Sequence, residues 1–286
     1  LVVWRRNNVY IIYLKESFMD GRENKPRASV LVASPTYDAM RYCFREFIDS
    51  LKAIDFDKGG FDILLMDNSK KEDFFNELKM EKGIIALKDD TKEDKNVRRL
   101  VSSRNKILDY AILNNYEYVL MMDSDVIPPK EILRSLVECD KDIVSGLYFG
   151  EFSISGKIKE LPVAWKLFSE EEFNEMKRLK IAPEYAKRRE DIRRHITDEE
   201  ANSGALTEVF ICSPGCMLLS RKVFEKIRYD FLEKGDGILY GDDIAFLEMA
   251  RKHGFKIWCN TKVKCRHLFK GKMKNRDGEL VHPMYE

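Results

Sequence analysis

Two carboxylates flank a serine at Asp123-Ser124-Asp125, directly after the apolar run Val119-Leu120-Met121-Met122. In extended backbone, residues i and i+2 share a face, so both carboxylates are expected to project together from a strand end. Close carboxylates repel, and placing both beside Met121 and Met122 without a counter-ion is costly. A hard divalent cation removes the repulsion and still accepts phosphate oxygens. The plainer reading is a solvated acidic pair capping the helix that Pro128-Pro129 opens. A second pair, Asp242-Asp243, follows Gly241 and precedes an amphipathic stretch. The helix dipole alone favours acids there. The functional reading is a general base at the mouth of a crevice, with the glycine-containing loop 235–241 closing over substrate. His267, in Cys265-Arg266-His267-Leu268, is the third element. A lone histidine is commonly structural, but a neutral imidazole beside carboxylates suits Mn²⁺ as well as Mg²⁺.

The six cysteines, Cys43, Cys139, Cys212, Cys216, Cys259 and Cys265, form no CxxC pair and show no zinc-finger spacing. They read as buried free thiols in a reducing compartment. Across 286 residues, 50 Lys and Arg balance 49 Asp and Glu for a formal net charge of +1. A dedicated nucleic-acid binder needs a basic excess, so that class is set aside. With 44% apolar and 11% aromatic residues the chain has material for a real core. No apolar run approaches the ~18 residues of a membrane span, and Arg5-Arg6-Asn7-Asn8 interrupts the opening one where a signal peptide would lie. The expectation is a cytoplasmic protein, soluble or peripheral on the cytoplasmic membrane face.

The elements that must position these residues follow a strand–helix rhythm. Residues 1–27 read as an extension, with a candidate hairpin around Arg5 to Asn8 and a polar linker over 21–27. Strands are expected at 29–33, 61–66, 83–87 and 117–122. Helices are expected at 38–54, 72–80, 97–114 and 130–138. Such alternation implies an α/β fold, a mostly parallel central sheet with helices on both faces. Ligands bind such sheets at the carboxyl ends of the strands, where Asp123 sits. Beyond residue 150 the rhythm changes. Residues 169–195 are charged and read as mainly helical, punctuated by Pro183. A strand-like pair is expected at 206–212 and 216–219, helices at 221–228 and 243–253, and short strands at 256–258 and 263–265.

Six segments in order carry a resemblance. They are Ala33-Ser34-Pro35-Thr36-Tyr37, Met66-Asp67-Asn68-Ser69, Ser103-Arg104-Asn105, Met122-Asp123-Ser124-Asp125, Gly241-Asp242-Asp243-Ile244-Ala245-Phe246, and His253-Gly254-Phe255-Lys256-Ile257 running on to His267. Together they resemble the GT-A glycosyltransferases, specifically the inverting family 2 enzymes, over roughly residues 28–268. The resemblance implies one GT-A domain over 28–286: a nucleotide-sugar half at 28–125, an acceptor half at 126–268, and a basic tail at 269–286. It also implies residue roles. Pro35, Thr36 and Tyr37 match the nucleoside-pocket segment, and Asp67 matches the acid that binds a pyrimidine base. Arg104 matches a basic residue near the nucleotide. Asp123, with Ser124 beside it, matches the ribose and donor-sugar position. Asp125 matches the direct metal ligand, with His267 completing a Mn²⁺ or Mg²⁺ site. Asp243 takes the general-base position. Asp242 stands where the family usually shows Glu. Ser213-Pro214-Gly215-Cys216 resembles a loop near the acceptor.

The implied reaction moves a sugar, from a UDP-sugar by preference, to a hydroxyl of a glycan, lipid-linked or other acceptor, with inversion. Two alternatives stand beside it. One is a nucleotidyltransferase acting on sugar phosphates, against which the missing Gly-rich loop after the first strand counts. The other is a degenerate domain that binds sugar nucleotides or scaffolds a partner, against which intact Asp125, Asp243 and His267 count. Trp165 and Tyr148 are candidates to stack on a sugar or to pack in the core. The run Lys262, Lys264, Arg266, Lys270, Lys272, Lys274 and Arg276 has no intervening acid. It reads as a strip that folds over a diphosphate or touches an anionic membrane, with a solvated tail as the alternative.

Overall fold

Val30-Leu31-Val32-Ala33 is apolar on both alternating faces, and such a run is at home only in a sheet covered on both sides. The computed structural model bears this out. It describes residues 2–6, 9–13, 29–93, 95–154, 156–212, 215–234, 237–268, 273–274 and 280–281. Eight strands form the central sheet: β1 (Val30–Thr36), β2 (Phe61–Asp67), β3 (Ile84–Lys88), β4 (Tyr118–Met122), β5 (Ile143–Leu147), β6 (Leu206–Val209), β7 (Cys216–Ser220) and β8 (Ile257–Lys264). Their order across the sheet is β6-β8-β5-β7-β4-β1-β2-β3. β3, β2, β1 and β4 run parallel, as do β5 and β8, while β7 and β6 run antiparallel to their neighbours. The fold is therefore α/β with a mostly parallel sheet, as expected.

The period of two along β1 sorts the core into two layers. Leu31 and Ala33 pack with Ile107, Leu108 and Ala111 of α3 (Asn96–Leu113). Val30 and Val32 pack with Phe47, Ile48 and Leu51 of α1 (Arg41–Lys52) and with Phe74 and Leu78 of α2 (Glu72–Lys79). The i, i+4, i+5, i+8 spacing from Cys43 to Leu51 is one helical stripe, and all four side chains are buried. The first face also takes Phe246, Leu247 and Ala250 of the helix Asp242–Lys252, called α4 here. α3 ends where Asn115 adopts φ 54, a left-handed stop that asparagine tolerates.

Several expectations change. Ile143–Leu147 is a central strand that the pattern did not announce, because Ser145-Gly146 interrupts its apolar run. Gly146 is required there: a Cβ would lie 2.8 Å from Cys216 Sγ on the neighbouring strand. The segment 169–195 is not mainly helical. It holds one helix (Glu170–Arg178), stopped where Lys180 turns to φ 57 ahead of Pro183, and then a short 3-10 turn at Arg189–Asp191. The runs 206–212 and 216–219 do not pair with each other; β6 pairs with β8, while β7 lies between β4 and β5. The two short strands expected at 256–258 and 263–265 are one strand, β8. The glycine-containing loop carries an antiparallel pair, Leu232–Lys234 with Gly237–Tyr240; residues 235–236 lie outside the described residues. At the amino end Val2–Arg6 and Val9–Tyr13 pair as the expected hairpin, while the linker lies outside the described residues. All six cysteines are free, five of them buried. Among the described residues no helix is long and apolar enough to cross a membrane.

Candidate functional site

The apolar strand β4 delivers Asp123 to the carboxyl edge of the sheet, and the chain turns at once. Val126 N donates to Asp123 O at 3.0 Å, so the backbone across Asp123-Ser124-Asp125 is a turn and not a strand. Strand alternation does not apply to it, and the two carboxylates find different partners. Asp123 Oδ1 accepts from Arg104 Nη2 at 2.7 Å. Asp125 Oδ2 lies 3.5 Å from His267 Nε2. The pairing of Val126–Ile127 with Arg266–His267 makes that meeting possible, with His267 opposite Val126 and Leu268 N donating to Asp125 O at 2.7 Å. Tyr148 closes one side, its ring 5.2 Å from His267 and nearly edge-on.

Arg104 gathers the rest. Carried inward by α3 and buried, it pairs through Nη2 with Asp123 and through Nη1 with Asp242, the first residue of α4. Burial works against its charge, but Asp242 and Asp123 outweigh that and raise its pKa. The acids are in excess of the bases. Burial raises the pKa of Asp123, and Arg104 only partly offsets it. Burial, reinforced by the charge of Asp242, pushes Asp243 up to about 6. Asp243 Oδ1 accepts from Ile244 N at 2.8 Å. For His267, burial opposes the imidazolium, and hydrogen bonding and charge from Asp125 prevail to raise its pKa. Asp123, Asp125, Arg104, Asp242, Asp243 and His267 thus form one cluster from four separate parts of the chain.

Ser124 and the nucleoside-pocket segment adjoin it. Ser124 Oγ donates to Pro35 O at 3.1 Å, which ties the turn to the end of β1. Thr36 closes that strand opposite Asp67. Tyr37 follows, 41% exposed, with its phenol pKa raised by burial and by Asp125. Asp67 lies two strands from Asp123, about 10 Å at the usual strand spacing. It is fully buried and engaged: Ser69 N and Oγ donate at 3.1 and 2.5 Å, and Lys88 Nζ at 2.8 Å. Ser69 Oγ in turn accepts from Asp38 N at 2.8 Å. Asp67 orders the turn beside Tyr37.

Gly215 was legible only as part of a loop motif, yet it touches the centre. Its carbonyl accepts from Asp123 N at 3.1 Å, and a Cβ would lie 2.6 Å from both Asp123 Oδ2 and Tyr148 Oη. Tyr229, not singled out by the sequence, stacks on Phe246 with centroids 4.2 Å apart and holds the Arg104 guanidinium 5.3 Å from its ring centroid. Trp165 packs with Phe152 and His195 instead of lining the cluster. In the basic strip, Lys264 donates to Ala201 O and Arg266 pairs with Glu46, away from the cluster. Residues 269–272 and 275–279 lie outside the described residues, and with them the reading of Lys270, Lys272 and Arg276.

Among the described residues, no three His, Cys, Asp or Glu side chains converge as a closed metal cage. The Asp125–His267 pair fits a more open arrangement. Mg²⁺ and similar ions are commonly held by one or two protein groups, with substrate phosphates and water completing the shell. An oxygen and a nitrogen donor 3.5 Å apart suit that sharing.

No family model matches the chain, and no curated protein is significantly similar. Solved structures are similar in fold. Crystallised S. aureus TarS 1-349 in complex with UDP-GlcNAc superposes at a TM-score of 0.51 with 16% identity, over 88% of this chain and 62% of that one. The same protein in complex with UDP gives 0.50 and 15%, over 83% and 60%. This chain thus spans about three fifths of that TarS chain. A197 from STIV matches at 0.41 and 13%, over 88% and 93%. The fold is the GT-A α/β architecture.

Proposed function

We propose that the chain is a glycosyltransferase that moves a sugar from a nucleoside-diphosphate donor, UDP-linked by preference, to an acceptor hydroxyl with inversion. One observation carries the reading: Arg104 joins Asp123 to Asp242 at the carboxyl edge of the sheet, with Asp243 next to Asp242 and the Asp125–His267 pair on the turn that follows Asp123. The shared fold with a protein crystallised with UDP-GlcNAc supports it.

The roles follow from charge and position. Asp243 takes the acceptor proton onto its carboxylate as the acceptor oxygen attacks the anomeric carbon. A pKa of about 6 leaves it ionised at neutral pH and still basic enough to accept. Attack from the side opposite the leaving diphosphate inverts the centre and needs no covalent intermediate, unlike a retaining hydrolase. Arg104 keeps Asp123 and Asp242 in place. Asp125 and His267 are the residues that would hold Mn²⁺ or Mg²⁺. When bound, such an ion neutralises charge on the diphosphate. Asp67, through Ser69, sets the turn that presents Tyr37 to the nucleoside.

The test is release of UDP from UDP-GlcNAc and related donors, with and without Mn²⁺ and acceptor sugars. Turnover that disappears on chelation and in Asp125→Ala is the expected result. Binding of UDP-sugars without any turnover would instead mark a degenerate binding domain. Turnover indifferent to chelation would refute the metal role.

A further inference from the structure

Arg104 pairs with two carboxylates at one end of its guanidinium. Its Nη2 meets Asp123 at 2.7 Å and its Nη1 meets Asp242. Its Nε is buried and has no hydrogen-bond partner among the described residues. Contacts at one end leave the face of a planar group to be set by something else. That face is covered by Tyr229, whose ring centroid lies 5.3 Å from the guanidinium carbon. The distance is within cation–π range. Arg104 is 3% exposed and Tyr229 2%, so water does not screen the attraction.

Tyr229 is itself fixed to both helices of the cluster. Asn105, next to Arg104 on α3, clamps its backbone: Asn105 Nδ2 donates to Tyr229 O at 2.9 Å, and Tyr229 N donates to Asn105 Oδ1 at 2.8 Å. One turn further along α3, Asp109 accepts from Arg228 Nη2 at 3.0 Å and so holds the residue before Tyr229. On its other side the ring stacks on Phe246, with centroids 4.2 Å apart and planes 17° from parallel. Phe246 lies one turn after Asp242 on α4, so the two share a face of that helix. The ring therefore stands between the helix that carries Arg104 and the helix that carries Asp242 and Asp243. Tyr229 Oη has no hydrogen-bond partner among the described residues. The ring and the backbone make these contacts, and the hydroxyl makes none of them.

We propose that Tyr229 is a positioning residue: its ring holds Arg104 between Asp123 and Asp242 and, through Phe246, sets the amino end of α4 that carries Asp243. Its part in turnover rests on the glycosyltransferase reading of the site; its grip on Arg104 does not. Without the ring the guanidinium face is uncovered and free to turn from one carboxylate. The contact that ties α3 to the start of α4 is then loosened, and Asp243 moves with that end of the helix. A displacement of about 1 Å at a reacting group is worth up to about 10²-fold in rate.

The test is a double-mutant cycle read by urea denaturation, with UDP release measured on the same proteins. Sucrose in every sample keeps the weakest variant folded at the start of its titration. Tyr229→Leu and Arg104→Met should each lower the urea midpoint. The double variant should lose less than the two losses added together, because both changes break the same contact. Tyr229→Phe keeps the ring and should match wild type in kcat per folded molecule, whereas Tyr229→Leu should lower it about tenfold or more. If Tyr229→Leu does not fold, Tyr229→Met takes its place, since the flexible thioether fills irregular space. Additive midpoint losses would overturn the proposal. So would Tyr229→Phe turning over as slowly as Tyr229→Leu, or Tyr229→Leu turning over like wild type. If wild type releases no UDP from any donor, the glycosyltransferase reading fails, and the cycle by itself still decides whether Tyr229 holds Arg104.

Discussion

Two acidic clusters sit at the carboxyl edge of the same sheet and are built in opposite ways. At the β2–β3 side, each of the two buried acids, Asp67 and Asp89, is paired with a lysine. Lys88 meets Asp67 at 2.8 Å, and Lys106 meets Asp89 at 2.5 Å, with Ser103 and Thr91 adding hydrogen bonds. Burial alone would raise the Asp89 pKa, yet these contacts outweigh it and lower the pKa. At the β4 side, Asp123 and Asp242 pair with Arg104, Asp243 lies beside them, and among the described residues Asp125 is paired with His267. There the pKa values of Asp123 and Asp243 rise. The first cluster is electrostatically closed. The second has unsatisfied negative charge, which is what a site that takes a cation and a proton needs. Residue type is the same in both; the supply of cations separates structure from chemistry.

The sharpest break in the comparison is at Asp243, the proposed general base. Asp243→Asn is expected to cut turnover by about 10²- to 10⁴-fold, the usual worth of a positioned base. Asp89→Asn, at a buried acid on the same edge, should leave turnover per folded molecule unchanged. A rate assay on both, corrected for folded fraction, decides it. The wild-type rate should also fall as pH drops below about 6, where Asp243 gains its proton.

Arg104→Met comes next. Removing the one cation between Asp123 and Asp242 leaves two carboxylates uncompensated, at a cost of about 3–5 kcal/mol near neutral pH. Lys106→Met, at the closed cluster, should cost less, because Thr91, Ser102 and Ser103 still donate to Asp89. Urea midpoints compare the two. Equal losses would mean that the clusters do not differ as described.

How much of this was legible from residues alone depended on reach. Val119 to Met122 followed by Asp123 is a local pattern, and both the strand and the acid at its end were readable. The stripe Ile107, Leu108 and Ala111 likewise placed α3 against the sheet. The Arg104–Asp242 contact spans 138 positions and exists only because α3 and α4 pack on one face. No spacing rule contains it. The turn after Met122 was misread as strand for a related reason: what bends it is pairing with residues near His267, far along the chain. β5 escaped because Ser145-Gly146 serve close packing against Cys216 and so carry no apolar signal. The contact of Asp67 with Lys88 is a cross-strand fact, since the two are neighbours only in the parallel register of β2 and β3.

Gly215→Ala probes the open cluster sterically. A methyl group 2.6 Å from Asp123 Oδ2 and Tyr148 Oη must push one of them away. The overpacking cost is about 1–3 kcal/mol, with a displaced Asp123 and slower turnover. Gly156→Ala is the control for stability, since only its positive φ of 74 opposes a side chain. If both variants lose stability but turn over alike, Gly215 is structural only.

The last contrast is in pH, and its sign is opposite for the two clusters. Asp243 has a folded pKa of about 6, above its ordinary 3.8. Its neutral form is favoured by folding, so the stability it contributes is present below about pH 4 and is lost as pH rises through 6. Asp243→Asn should therefore stabilise the fold at pH 7, by roughly 1–3 kcal/mol given the size of the shift, and lose that advantage at pH 4. Asp89 has a lowered pKa, so its ionised form is favoured by folding. Its contribution is present above about pH 4 and is lost as pH falls through the lowered value. Asp89→Asn should destabilise at pH 7, by about 1–2 kcal/mol for hydrogen bonds to a charged group, and approach wild type in acid. Chemical denaturation of the three proteins at about pH 2, 4 and 7 measures both slopes, the Asp243 one between pH 4 and 7 and the Asp89 one below pH 4. A shared sign would show that Asp243 is as well compensated as Asp89, and the base assignment would lose its electrostatic ground.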